Sequence, residues 1–241
     1  ANDAQGALRD NARAFRARLE DWTQVQIAEL FTMLGARTFL VVVATSDLTS
    51  AYRIFSVMNA RGLPLTPSDI FKATVIGAIP EGQREEHSET WEDLEEELGR
   101  DEFGNLFLHL RTITSKTRAR SSLLDEFGPQ VLDQFLPQNG ARFIATLLEP
   151  YAAASQRLLN HDFDGGQAWE SVNAWLKRLG QLDNDDWRPV VLWGLVHHKD
   201  DADFLNTFLA KVERLAASMH IRRVYTTPRV GRYLELLRQL E

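Results

Sequence analysis

The sequence predicts a mainly α protein, a helical bundle carrying one or two short strands. Three observations predict this. Apolar residues recur at helical spacing through most of the chain. Breakers separate those runs, among them Gly128-Pro129, Pro137, Gly140, Gly165-Gly166, Gly180 and Pro228. Only residues 38–45 are short, β-branched and apolar throughout, which suits a buried strand at 39–44.

Residues 5–35 read as one helix, with Ala7, Leu8, Ala12, Phe15, Leu19, Trp22, Val25 and Ile27 near helical spacing. The strand follows, and its backbone groups need sheet partners from elsewhere. A helix from 48 or 49 to 60 carries Ala51, Ile54, Phe55 and Met58 on one face, and Gly62 stops it. Thr66 is the expected N-cap of the next helix, with Pro67 and Asp69 in its first turn. Residues 82–98 predict an acidic amphipathic helix with Trp91, Leu94 and Leu98 inward. Further helices are expected at about 102–114, 121–136, 139–160, 166–181, 186–198, 201–218 and 228–240. The length suits one large or two small domains. The polar, basic run 115–122 predicts a division into 1–117 and 118–241.

Cysteine is absent, which excludes thiol catalysis, disulfides and cysteine-ligated metals. This suits a cytoplasmic protein. No run approaches the ~20 apolar residues of a membrane span, so no membrane partner is expected. The chain opens Ala1-Asn2-Asp3 without Met, as expected of a processed product or a piece of a longer protein. The net charge of −7 is unevenly spread. Residues 81–102 hold eleven acids and two arginines; residues 211–238 hold seven bases and two acids. Arg111, Lys116, Arg118 and Arg120 form a second basic stretch. Only five of the 27 bases are lysine, and arginine's planar fork suits phosphate.

No complete catalytic set is legible, and neither a catalytic residue nor a metal ligand is assigned. The six histidines are scattered, without His-Glu-x-x-His. Asp183-Asn184-Asp185-Asp186 lacks the glycine and distal glutamate of a calcium loop. It reads instead as the cap of a helix beginning near Trp187. Walker A, Gly-x-Gly-x-x-Gly and serine-hydrolase motifs are missing.

Residues 51–72 gather Asn59, Arg61 and Lys72 about one helix–helix corner. Asparagine supplies donors and acceptors, and the two cations supply phosphate-compatible charge. A corner between two capped helices explains Gly62, Pro67 and Asp69 well, but not the closeness of Asn59, Arg61 and Lys72 about it.

The segment resembles the second signature of the GmrS family, the ParB-like half of GmrSD modification-dependent restriction enzymes and related phage-defence proteins. The matching residues are the apolar run 39–44, Asp47, Phe55-Ser56-Val57-Met58-Asn59, Arg61-Gly62, Leu65-Thr66, Asp69 and Phe71-Lys72. The likeness is specific over 38–127 and looser to 241. The family's first signature, Asp-Gly-Gln-Gln-Arg, is absent, as is the His-x-x-Pro signature of its nuclease partner.

The resemblance implies that 39–44 completes a ParB-like sheet and that Phe55 packs its helix on that core. It implies nucleotide binding through Phe55, Asn59, Arg61 and Lys72. An NTP with Mg would bind in a longer parent protein, whose partners would be DNA, modified or not, and a nuclease domain or subunit. Homo-oligomers are compatible with it. The expected DNA contacts are Arg111, Lys116, Arg118, Arg120, Arg222, Arg223, Arg229 and Arg232. The alternative is a non-catalytic helical interaction module.

Overall fold

The computed structural model describes residues 4–39 and 66–240. They are helical, with no β-strand among them. The chain forms two units, 1–51 and 52–241. The strand expected at 39–44 lies outside the described residues except for Phe39, which is exposed. The helix expected at 48–60 lies wholly outside them.

The first unit contains α1 (Ala4–Leu19) and α2 (Gln24–Ala36). The single helix expected over 5–35 is therefore interrupted. Thr23 starts α2 with a reciprocal capping box: its hydroxyl accepts from the Gln26 N–H, and the Gln26 side chain accepts from the Thr23 N–H. The Thr-x-x-Gln pattern at 23–26 carries that signal. No residue of α2 is buried, and Val25 and Phe31 are largely exposed.

The second unit is built on one apolar core running from Phe71 to Leu237. The division expected at 117/118 falls inside this unit, with core residues on both sides. α3 (Pro67–Gly77) begins at the expected capping box of Thr66 and Asp69. Asp69 also accepts from Arg100 at 3.2 Å. α4 (Arg84–Leu98) is the acidic helix; it buries Trp91 completely and rests Leu94 and Leu98 on the core. Gly99, at φ 76°, turns the chain into α5 (Arg100–Ser115).

α5 buries Phe103, Leu106, Phe107, Leu110 and Ile113, a single helical stripe. Phe107 lies 5.5 Å from Trp91, 5.3 Å from Phe71 and 5.3 Å from Phe127, ring centre to ring centre. Such aromatic pairs add about 0.5–1.5 kcal/mol each beyond their buried area. Phe127 lies on α6 (Leu123–Gln130), which ends short of the expected 136 and gives way to a 3-10 turn at Leu132–Gln134.

The next long helix has three parts: α7 (Gly140–Phe143), a π-helical stretch (Ile144–Leu148) and α8 (Glu149–Asn160). α9 (Gln167–Leu179) packs along α11 (Ala202–Ile221). α10 (Arg188–His197) touches α5, α8, α11 and α12 (Thr226–Gln239), so it is the central strut of this half.

Candidate nucleic-acid interface

The chain leaves α5 through Lys116, which adopts the left-handed conformation at φ 51°. The following turn is clamped from below by Arg111. This residue is 4% exposed. Its Nη1 donates to the Thr117 carbonyl and its Nη2 to the Arg118 carbonyl, both at 2.8 Å. Its Nη2 also lies 2.6 Å from Glu126 Oε2. The other carboxylate oxygen of Glu126 accepts from the backbone N–H groups of Arg120 and Ser121, at 2.6 and 2.9 Å. Burial pushes the Glu126 carboxyl up, but the two N–H groups and the Arg111 guanidinium bring it net below the usual range.

Arg111 was expected to contact DNA. It is instead sealed beneath the turn with its guanidinium spent on Glu126 and two carbonyls. A buried charge stays only where it is paired and hydrogen-bonded. The clamp leaves the Arg118 and Arg120 side chains exposed.

Two further bonds dock this turn on α12. Arg118 Nη2 donates to the Thr227 carbonyl at 2.6 Å, and Arg238 Nη2 donates to the Lys116 carbonyl at 2.7 Å. The Arg118 head lies over Gly231, where a Cβ would come within 2.7 Å of it. Two basic stretches distant in sequence therefore meet along α12.

Arg222 and Arg223 precede α12 and are exposed. Arg118, Arg120, Arg222 and Arg223 have no carboxylate partner among the described residues. Arg229 and Arg232 differ. Arg229 pairs with Asp186 and donates to the Val224 carbonyl, and Arg232 pairs with Glu235 at 2.6 Å. Burial and the nearby Asp186 raise the Tyr233 phenol well above its ordinary range.

The acidic run 183–186 does not cap α10, whose first residues lack a side-chain cap. Two of its charges go to ion pairs, Asp185 with Arg188 and Asp186 with Arg229, and the Asp183 carboxylate lies 3.0 Å from His220 Nδ1. Asp183, His220, Arg223, Tyr225, Thr226 and Arg229 line a cleft of about 440 Å³. Tyr225 is 85% exposed. It was missed as a site residue, although it sits between the pairs Arg222-Arg223 and Thr226-Thr227.

Of the expected nucleotide contacts, Phe55, Asn59 and Arg61 lie outside the described residues. Lys72 is on α3, with its ammonium 2.6 Å from Glu92. A phosphate at Lys72 would compete with that carboxylate. Nearby, burial first and then Asp69 raise the Glu95 carboxyl, against the pull of Arg100 and Lys72. No His, Asp or Glu cluster fit to hold a metal occurs among the described residues. No helix among them is long and apolar enough to cross a membrane.

No protein-family profile, curated protein or solved structure matches the chain.

Proposed function

We propose that this chain is the helical, DNA-contacting segment of a GmrS-like, nucleotide-dependent restriction protein of phage defence. The observation that supports this reading best is the docking of the 116–120 turn onto α12, which brings the stretch carrying Arg118 and Arg120 to the helix that follows Arg222 and Arg223. Clustered, unpaired arginines attract the phosphate backbone and release its counterions. Lys116 belongs to the same seam, while Arg229 and Arg232 engage DNA by exchanging their carboxylates for phosphates.

In this reading the parent protein binds an NTP with Mg through Phe55, Asn59, Arg61 and Lys72. The helical unit relays that state to DNA and to a nuclease domain or subunit. The protein works in the cytoplasm. Binding to duplex DNA tests the proposal. Replacing Arg118, Arg120, Arg222 and Arg223 together by serine is expected to weaken binding roughly tenfold or more at low salt. Unchanged affinity contradicts it. In a nucleotide-responsive parent, Asn59→Ala is expected to abolish the nucleotide's effect on DNA affinity while sparing DNA binding without nucleotide.

A second reading has its own support. α2 buries none of its side chains, and Phe31 and Leu34, neighbours at i and i+3 on one face, are 80% and 54% exposed. An apolar face of this kind marks an interaction site. A non-catalytic helical interaction module would use it to hold a protein partner. In that case, replacing Phe31 and Leu34 by serine abolishes partner binding, and the seam variants leave it intact.

A further inference from the structure

We infer that the turn between α11 and α12 is a binding site for single-stranded DNA, with a base stacked on Tyr225 and phosphates on Arg222 and Arg223. This rests on the DNA-contact reading above and narrows it to one form of the substrate.

The first support is the composition of the surface. Tyr225 is 85% exposed and Ile221 is 79% exposed, flanking the two unpaired arginines. Contacts to a duplex backbone use cations and polar groups, and they leave an exposed aromatic ring and an isoleucine without a task. A single strand offers unstacked base faces as well as phosphates, and an exposed aromatic beside arginines engages both.

The second support is rigidity. α11 ends in a Schellman motif: the Val224 N–H donates to the Met219 carbonyl, and the Arg223 N–H to the His220 carbonyl, both at 2.9 Å. Arg223 occupies the left-handed position of that motif, at φ 52°. Glycine is the usual occupant, because a Cβ there costs about 1–2 kcal/mol. An arginine held at this position is strained backbone that places a cation at the cleft wall, and such strain concentrates where it serves binding.

The third support is the cleft beside the ring. Its far side carries Asp183 and His220, 3.0 Å apart. The Asp183 carboxylate repels phosphate and offers an acceptor to a base N–H, such as the ring N–H of thymine. The strand is thereby oriented, with its backbone along the arginines and a base toward Asp183. Arg118 and Arg120 extend the phosphate track.

The test compares two fluorescent probes on the full chain by anisotropy. One is an oligothymidylate of roughly 15 nucleotides, about one to a few site sizes of such surfaces; the other is a duplex of the same length. The single strand is expected to bind at least about fivefold tighter at equal salt. Tyr225→Ala is expected to weaken single-strand binding about 5- to 140-fold, the worth of one base–aromatic stack, and to leave duplex binding unchanged. Arg223→Gly is expected to raise the melting temperature by relieving the left-handed strain while weakening single-strand binding. A loss of affinity in a stabilised protein separates binding from folding. Equal or tighter duplex binding with a silent Tyr225→Ala overturns this inference and leaves the duplex reading standing. Preference for an oligouridylate of the same length, run as a third probe, over the oligothymidylate also overturns it, in favour of RNA. Failure of both DNA probes to bind removes this inference and the duplex reading together.

Discussion

Arg118 donates from Nη2 to the carbonyl oxygen of Thr227 at 2.6 Å, joining positions 109 residues apart. The bond brings the turn after α5 onto the first turn of α12. With Arg238 holding the Lys116 carbonyl, it converts two separate basic stretches into one seam. The seam's foundation is the buried pair of Arg111 and Glu126, which ties down the carbonyls and N–H groups of the same turn.

Removing one partner of that pair strands the other charge in the core. Arg111→Met is expected to destabilise the protein by about 3–5 kcal/mol. Replacing both, as Arg111→Met with Glu126→Leu, is expected to recover only part of this. The N–H groups of Arg120 and Ser121 would still lack their acceptor. Urea unfolding of the two variants measures the difference. Equal stability of Arg111→Met and the wild type contradicts the clamp.

Two glycines make opposite demands. A Cβ at Gly140 would lie 2.6 Å from the Val75 carbonyl oxygen, part of the backbone of α3. Nothing there yields without moving a helix, so Gly140→Ala is expected to cost about 1–3 kcal/mol. At Gly231 the obstruction is the flexible head of Arg118. Gly231→Ala is expected to be neutral, or stabilising by up to about 1 kcal/mol through helix propensity. Thermal melts of both variants decide the contrast.

His109 gives the protein a specific acid sensitivity. Burial, with Arg188 assisting, lowers its imidazole from 6.5 to about 4. Between those values the unfolded chain takes a proton that the folded protein refuses. Stability therefore falls as the pH drops from about 6.5 to 4, by on the order of a few kcal/mol. His109→Leu is expected to flatten that part of the stability profile. Unfolding free energies at pH 7 and pH 4.5 measure it, and an identical decline in both proteins contradicts the assignment.

Trp91 tests the core of the acidic helix. It is fully buried against Phe103 and Phe107, and its indole N–H makes no hydrogen bond. Trp91→Ala is expected to cost about 3–5 kcal/mol. Trp91→Phe is expected to cost less, because no hydrogen bond is lost. Equal destabilisation by the two, in chemical unfolding, contradicts this packing.

Local chemistry was well written in the sequence, and long-range pairing was not. The Thr66–Asp69 capping box, the buried Trp91 stripe and most helices from α3 onward follow from spacing and turn residues alone. The break before α2 was legible in Thr23 and Gln26, but a continuous apolar run masked it. Arg111 looked like its neighbours Arg118 and Arg120, although it stands four residues after Phe107, on the buried stripe of α5. Its fate depends on Glu126, beyond an intervening turn. The acids at 183–186 looked like a cap, yet their partners His220 and Arg229 lie on or near other helices. The meeting of Arg118 with Thr227 is a product of tertiary packing, which no window of sequence contains.

The salt dependence of duplex binding tests the central claim most directly. If Arg118, Arg120, Arg222 and Arg223 each neutralise one phosphate, log K falls linearly with log salt. Replacing the four by serine then makes the slope shallower by about 3 to 4, at about 0.9 per phosphate contact. Slopes that coincide for the wild type and the fourfold variant, or wild-type binding that ignores salt, would contradict the seam's role in holding DNA.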